Sequence, residues 1–219
     1  MELIDAKGRT RTREAKMFRK SSEDVKKTSV HFVEPAALAG TAFLTFDYAD
    51  AERDDDQWLY LPAHRKVRRI SPSDRGGSFF GTDLSYEDVK KETKLALEDY
   101  RWTVLGTETV DGYDCYLLEG IPVDEATARE LGYGRVLSRI DRERWITRLA
   151  DYWDLKAQHL KTTHNVAIDE IDGIWTIRRT EVENHRSGHR TVLEFSDIAY
   201  DDSLPDELFE PGSLTRGIP

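Results

Sequence analysis

The feature that most restricts this chain is a succession of short β-type runs separated by turn residues at close, fairly even intervals. From Met1 to about Ile70 the runs are "MELIDAKG", "REAKMFRK", "KKTSVHFVEP", "TAFLTFDYAD", "QWLYLP" and "KVRRI". After residue 100 come "RWTVLGTETVDGYDCYLLEGIPV", "RVLSRID", "WITRLADYWD", "KAQHLKTTH", "VAIDEIDGIWTIRRTEVEN" and "RTVLEFSDIAY". Strands this close in sequence pair antiparallel, because a parallel return needs a crossover of a dozen or more residues. Asp111-Gly112 and Asp172-Gly173 supply two-residue hairpin turns. A meander of about ten strands in one row is expected to curl.

Within "AFLTFDY", Ala42, Leu44, Phe46 and Tyr48 share one parity and Thr45 and Asp47 the other, as in a half-buried strand, with Phe43 breaking the pattern. In "WLYLP", Trp58 and Tyr60 take one face and Leu59 and Leu61 the other, which predicts cover on both sides. Two interruptions have helical character. "DEATARELGYG" opens acidic and ends on glycine. "TDLSYEDVKKETKLALEDY" offers Thr82 or Ser85 as a cap, then acidic and later basic residues, and predicts one or two short helices over residues 83–98. Just before the second lies "DRGGSFFGTD", where Phe79 and Phe80 sit between Gly76, Gly77 and Gly81. The glycines predict a bend or hinge. Rings on such a backbone must be buried by something or bury something. The segment is therefore a candidate lid over the sheet, and Leu204, Leu208 and Phe209 in the tail a candidate clamp.

With 219 residues, 38% apolar and 34% charged, the chain supports one sizeable folded domain beneath a charged surface. A formal charge of -10 argues against nucleic-acid binding, which depends on clustered Lys and Arg. The basic run "RKVRR" reads as a solvated strand face. No apolar run is long enough to span a membrane, and the N-terminus lacks the apolar core of a secretory signal.

Reactive chemistry has few candidates. No G-x-S-x-G, P-loop or H-E-x-x-H string occurs, and the lone Cys115, in an apolar run, reads as an inert buried thiol. His185 and His189 are four apart, but Ser187-Gly188 between them signals a turn instead of a ligand-bearing helix; His159 and His164 offer no better pair. Asp54 to Asp56 lack the spaced ligands of a calcium loop. Arg68, Arg69, Arg148, Arg178 and Arg179 fall within strand runs, and any that points inward must be paired. One such arginine, bonded to lid carbonyls or to Asp83 or Asp88, is a candidate latch; surface ion pairing is the other reading. No catalytic residue, metal or cofactor is expected.

The run from Phe43 through Val89, above all "W-YLP---KVRRI" followed by "SFFGTD-SYED", together with "HRTVLEFSDIAYDDSLPDELFEP", resembles the LolA-like outer-membrane lipoprotein-sorting protein family of bacteria. The similarity covers nearly the whole chain, residues 1–219, as one domain. It implies a β-rich α+β fold: a half-open antiparallel β-barrel with a helical lid over an apolar concave face. It implies a periplasmic carrier, not an enzyme, that holds lipid or lipoprotein acyl chains on their way to the outer membrane. An inner-membrane transporter, of the resistance-nodulation-division (RND) exporter type in this branch, would serve as donor, with an outer-membrane acceptor. The family pattern also implies a secretion signal and a first helix ahead of the opening strand, whereas this chain starts inside that strand. Leu44, Phe46, Trp58, Tyr60, Phe79 and Phe80 are the candidate lipid-contacting residues, each equally readable as ordinary packing, and Gly76, Gly77, Gly81, Asp83 and Asp88 the candidate lid and hinge. A lipid- or partner-sensing module on the same fold is the alternative. Burying a sixteen-carbon chain is worth on the order of 12 kcal/mol gross, so a carrier must offset part of that to release its cargo.

Overall fold

The computed structural model describes residues 1–50, 53–91, 97–200 and 203–218. In chain order the strands are β1 (Glu2–Ile4), β2 (Thr10–Thr12), β3 (Glu14–Ser21), β4 (Val25–Glu34), β5 (Ala42–Tyr48), β6 (Asp56–Leu61) and β7 (Lys66–Arg69). Helix α1 (Tyr86–Lys91) follows, then β8 (Tyr100–Val110), β9 (Tyr113–Pro122), helix α2 (Glu125–Leu131), β10 (Arg135–Asp141), β11 (Thr147–Trp153), β12 (His159–Ile171), β13 (Ile174–Asn184) and β14 (His189–Glu194). Short 3-10 turns at Asp206–Phe209 and Pro211–Thr215 follow. Two compact units result, one from Met1–Arg11 and Arg75–Tyr200, the other from Thr12–Asp74 and Asp201–Pro219.

The first unit is built on an open, nine-stranded row in the order β2-β1-β14-β13-β12-β11-β10-β9-β8. Every pairing from β1 through to β8 is antiparallel. Both Asp-Gly pairs make the expected hairpins: Asp111 and Gly112 have φ of 52° and 83°, Asp172 and Gly173 of 52° and 79°. Two successive left-handed residues match the twist of the strands they join. Helix α2 also forms where its ends predict. The Asp124 carboxylate accepts the Thr127 N–H at 2.8 Å, and Gly132, with φ of 80°, closes the last turn onto the Ala128 carbonyl. The helix brings Leu131 into a core with Tyr100, Tyr133, Val136 and Ala150, flanked by Trp102, Tyr152 and Leu160. Trp102 lies so close over Gly120 that a Cβ there would stand 2.7–2.9 Å from its ring and 2.8 Å from Val136. Gly120→Ala is therefore expected to cost about 1–3 kcal/mol by overpacking. Urea unfolding checks this, and a variant of unchanged stability would show the indole is free to move.

The second unit carries a five-stranded antiparallel sheet, β3-β4-β5-β6-β7. Ala42 and Leu44 of β5 pack with Leu208, Phe209 and Leu214 of the C-terminal 3-10 turns, and Phe18, Phe46, Trp58, Tyr60, Val67 and Leu204 surround that cluster. The tail clamps this sheet as its apolar residues predict. The β7 side chains are mostly exposed, as a solvated basic strand face should be.

Two expectations are corrected and a third holds. The strands do not form one row: β7 ends its sheet at Arg69, and β8 pairs with β9 on the far side of the Pro- and Gly-rich stretch that interrupts the ladder. One short helix does lie between residues 83 and 98, as expected: α1 begins at Tyr86 with Ser85 as its cap, and residues 92–96 lie outside those described. Trp145 does not share a strand with Trp153. It precedes β11 with φ of 56°, is 71% exposed, and stacks on Tyr116 at 5.9 Å.

Candidate functional site: the segment bonded to the nine-stranded sheet

The segment from Gly76 to Lys91 belongs to the first unit and is tied to its sheet by buried polar groups. At its start Gly76 packs against the backbone of Glu130 and Gly132 at the end of α2. Ser78 bridges to Ser85, and Phe79 to Thr82 form a tight turn in which the Thr82 N–H reaches the Phe79 carbonyl at 3.0 Å and the Phe79 N–H the Leu84 carbonyl at 2.7 Å. The central residues of this turn, Phe80 and Gly81, have φ of 50° and 77°. Glycine adopts that region freely, whereas a bulky side chain does so at a cost of about 1–2 kcal/mol. Edge-to-face contacts help hold Phe80 there: its ring meets Phe79 at 5.0 Å and Tyr86 at 6.1 Å, and Phe79 meets Tyr86 at 5.4 Å. Phe79 is buried and Phe80 half-buried.

Beyond the turn, Ser85 and Asp88 form a capping box: the Asp88 N–H donates to Ser85 Oγ at 3.0 Å, and the Ser85 N–H donates to Asp88 Oδ2 at 2.6 Å. The same carboxylate accepts from Tyr133 Oη at 2.8 Å and from Lys161 Nζ at 2.5 Å. Lys161 also donates to the Asp83 carbonyl at 3.1 Å, and its ammonium sits 4.9 Å and 5.1 Å from the ring centres of Tyr133 and Tyr152. Burial pushes the Tyr133 phenol well above its ordinary pKa, with the Asp88 charge adding to the effect, so it remains a donor. Asp83 makes the second tie. Its Oδ2 accepts from Thr191 Oγ1 at 2.7 Å and lies 2.5 Å from His189 Nδ1, while its N–H reaches Thr191 Oγ1 at 3.0 Å. A cleft of about 150 Å³ beside these groups, lined by Asp83, Leu84, Tyr133, Leu160 and Lys161, has room for a few water molecules.

Asp83 and Asp88 thus both bond to the sheet, and the cation that meets them is Lys161 of β12, not an arginine. Arg148 does point inward, 5% exposed, yet it is spent on Asp141, with Nε and Nη2 at 2.8 Å and 2.7 Å from Oδ2. Arg178 bonds the Phe195 carbonyl, Arg179 pairs with Glu181 and Glu194, and Arg69 pairs with Asp56. Tyr133, Thr191 and His189 were also missed. The signal that could have found Lys161 is its place in "HLKTTHN", where Lys161, Thr163 and Asn165 alternate on one buried face of a strand.

Leu44, Phe46, Trp58 and Tyr60 come together on the second unit's sheet. Leu44 faces Trp58 across the ladder, Ala42 faces Tyr60, and Phe46 meets Trp58 edge-on at 5.0 Å. Leu44 is fully buried and the other three partly so, packed with the C-terminal turns. Of Gly76, Gly77 and Gly81, the left-handed backbone is found at Gly81. Cys115 is fully buried, and burial raises its thiol pKa, which disfavours the reactive thiolate.

The buried face of the nine-stranded row has a further property. Ser138, Ala150, Thr163, Val182, Thr191 and Leu3 stand directly opposite one another across successive strands. All are 3% exposed or less, and all but Leu3 are small. Asp83 is bonded to Thr191 in this row. Among the described residues, one group of His and carboxylate side chains, Asp151, His159 and His185, could hold a metal ion.

A family model described as that of an uncharacterized protein matches residues 24–216. A DUF1329 family protein from Desulfovibrio piger is 35% identical, with a TM-score of 0.89 over 97% of this chain and 88% of that one. The chain belongs to the DUF1329 family. A second structure of the same shape, a putative outer membrane lipoprotein-sorting protein domain from Vibrio parahaemolyticus, is 30% identical to this DUF1329 chain over 98% of it and 88% of the other, with a TM-score of 0.89. A LolA superfamily protein from Nitrosomonas europaea, 23% identical over 95% and 86%, superposes with a TM-score of 0.71. The fold is therefore LolA-like: mostly antiparallel, open and with few helices. Among curated proteins, none matches. No helix among the described residues is long and apolar enough to cross a membrane.

Proposed function

We propose that this DUF1329 protein is a non-enzymatic carrier that binds acyl chains of lipids or lipoproteins in the periplasm and moves them towards the outer membrane. The observation that carries the reading is the row of small buried side chains, Ser138 to Thr191, with the proposed lid bonded to the same sheet through Thr191 and the buried Lys161, on a fold shared with a putative lipoprotein-sorting protein. Small side chains leave a shallow trough across a sheet, and an apolar chain laid against such a surface gains about 0.8 kcal/mol per buried CH₂. The lid supplies the opposing cost. Its anchors must be exchanged for water or for cargo before the trough opens, and the strained Phe80 turn favours a segment that can be displaced.

The proposed tail-contacting side chains are Phe79 and Phe80 on the lid of the first unit and, in the second, Leu44, Phe46, Trp58 and Tyr60. The proposed hinge is the stretch holding Gly76, Gly77 and Gly81. Loading needs an energy source outside the chain, for which an inner-membrane transporter of the RND type is the proposed donor, with an outer-membrane acceptor.

The test is native mass spectrometry with lipid extraction on protein purified from the periplasm without detergent. A co-purifying acyl species is expected. Thr163→Phe, which adds bulk at the middle of this row, should lower its occupancy at least tenfold while circular dichroism stays that of a folded sheet protein. Protein that carries no acyl species and binds no fluorescent fatty acid when offered one would overturn the reading.

A further inference from the structure

On the sheet face opposite Lys161, two strand side chains and one just beyond a strand converge. Thr162 follows Lys161 on β12 and so points the other way. It stands across the ladder from Asp151 of β11, His159 stands across from Trp153, and His185 follows the end of β13. The ligand atoms of Asp151, His159 and His185 lie within 4.8 Å of one another. His159 Nε2 is 3.1 Å from Asp151 Oδ1, Thr162 Oγ1 donates to that same oxygen at 2.6 Å, and His185 Nε2 is 2.8 Å from Thr162 Oγ1.

Proton bookkeeping fixes the directions. A threonine hydroxyl has one hydrogen, and here it goes to Asp151, so His185 Nε2 must donate to Thr162. The Asp151 carboxylate can only accept, so His159 Nε2 donates as well. Two imidazoles thus aim the same nitrogen at one spot beside a carboxylate oxygen, and a cation there would replace the hydrogens that now occupy it.

We propose that Asp151, His159 and His185 bind a first-row divalent cation of the zinc and copper class. Two imidazoles and one carboxylate form a ligand set suited to these metals, with the remaining position open to water or a small anion. In a tetrahedral zinc site the ligand atoms stand about 3.3–3.5 Å apart, given metal–ligand bonds of about 2.0–2.2 Å. Small side-chain rotations close the present spacing, and His159 and His185 are exposed enough to make them.

The surroundings already orient the ligands. His159 stacks on Trp153 at 5.0 Å and 25°, and on the other side lies 4.2 Å from the His185 ring. Arg135 covers Trp153 at 4.3 Å and is itself held by Glu119 at 2.7 Å. Arg139 pairs with Asp151 Oδ2, which leaves Oδ1 for the metal. Burial would raise the Asp151 carboxyl, but the Thr162 hydrogen bond and Arg139 outweigh it and hold it below the ordinary value, so the ligand is ionised. The two arginines also repel a cation, so micromolar and not nanomolar affinity is expected.

The experiment is isothermal titration of the untagged full chain with Zn²⁺, repeated with Cu²⁺, Mg²⁺ and Ca²⁺. One equivalent of Zn²⁺ should bind, Cu²⁺ more tightly, and neither Mg²⁺ nor Ca²⁺ measurably. Affinity should fall on acidification, because protons compete for the same nitrogens. His159→Ala and His185→Ala should each lose at least tenfold, Thr162→Val up to about tenfold as an orienting partner, and His164→Ala nothing. Both ligand histidines are exposed, so these variants should keep the wild-type thermal midpoint. Absence of saturable Zn²⁺ binding up to about 1 mM, or equal affinity in the His159→Ala/His185→Ala double variant, overturns the site. Either failure would leave the carrier reading standing, because the two lie on opposite faces of the sheet.

Discussion

Replacing Lys161 by methionine lowers the stability of the protein by about 3–5 kcal/mol, read as a fall in the urea midpoint at constant slope. Lys161 and Asp88 have side chains 2% and 11% exposed. A buried pair of this kind adds little compared with a well-packed apolar substitute, but removing one partner strands the other's charge away from water. Methionine fills the space of the lysine stem while leaving the Asp88 carboxylate with the Ser85 N–H and Tyr133. Lys161→Met/Asp88→Asn should therefore recover much of the loss, because the double variant leaves no uncompensated charge. If Lys161→Met unfolds within about 1 kcal/mol of the parent, the lid is not held by this contact. The carrier reading adds a second outcome: the single variant should exchange a bound fatty-acid probe faster than the parent.

Phe209→Ala is expected to cost a further 3–5 kcal/mol, by a different mechanism. Phe209 is 1% exposed and lies in the cluster with Ala42, Leu44, Leu208 and Leu214 that joins the C-terminal turns to the five-stranded sheet. Truncation leaves a cavity where the ring was, and a short 3-10 turn has little hydrogen bonding of its own with which to stay in place. Amide exchange should accelerate in β4, β5 and β6 while β10 to β13 remain protected. Retained protection in the five-stranded sheet would show that the tail rests on it without supporting it.

Local chemistry was legible in the sequence; partners distant along it were not. Asp111-Gly112 and Asp172-Gly173 named their hairpins because a two-residue turn needs what Asp-Gly supplies. Asp124 and Gly132 marked both ends of α2, and the alternation of Ala42, Leu44 and Phe46 marked a face that does bury against the tail. Asp83 and Asp88 stand out in the sequence beside the glycine-rich bend, yet Lys161 lies 73 residues beyond Asp88, and no short-range pattern couples them. The same holds for His159 and His185, which sequence spacing sorts with His164 and His189 and which strand register instead brings to each other. Trp145 was misplaced because the left-handed turn it occupies gives no sign in a run that otherwise alternates like a strand.

The path of the chain through its two units has a consequence for synthesis. Strand β1 is completed by β14, whose Val192 pairs with Glu2, and the five-stranded sheet is completed by Leu208, Phe209 and Leu214. Neither sheet has all its partners until the ribosome has passed these residues, although the core of Tyr100, Leu131, Tyr133, Val136 and Ala150 lies wholly upstream of β14. Contacts so far apart along the chain also form slowly once available. Both units are thus finished late, by segments made long after the strands they join.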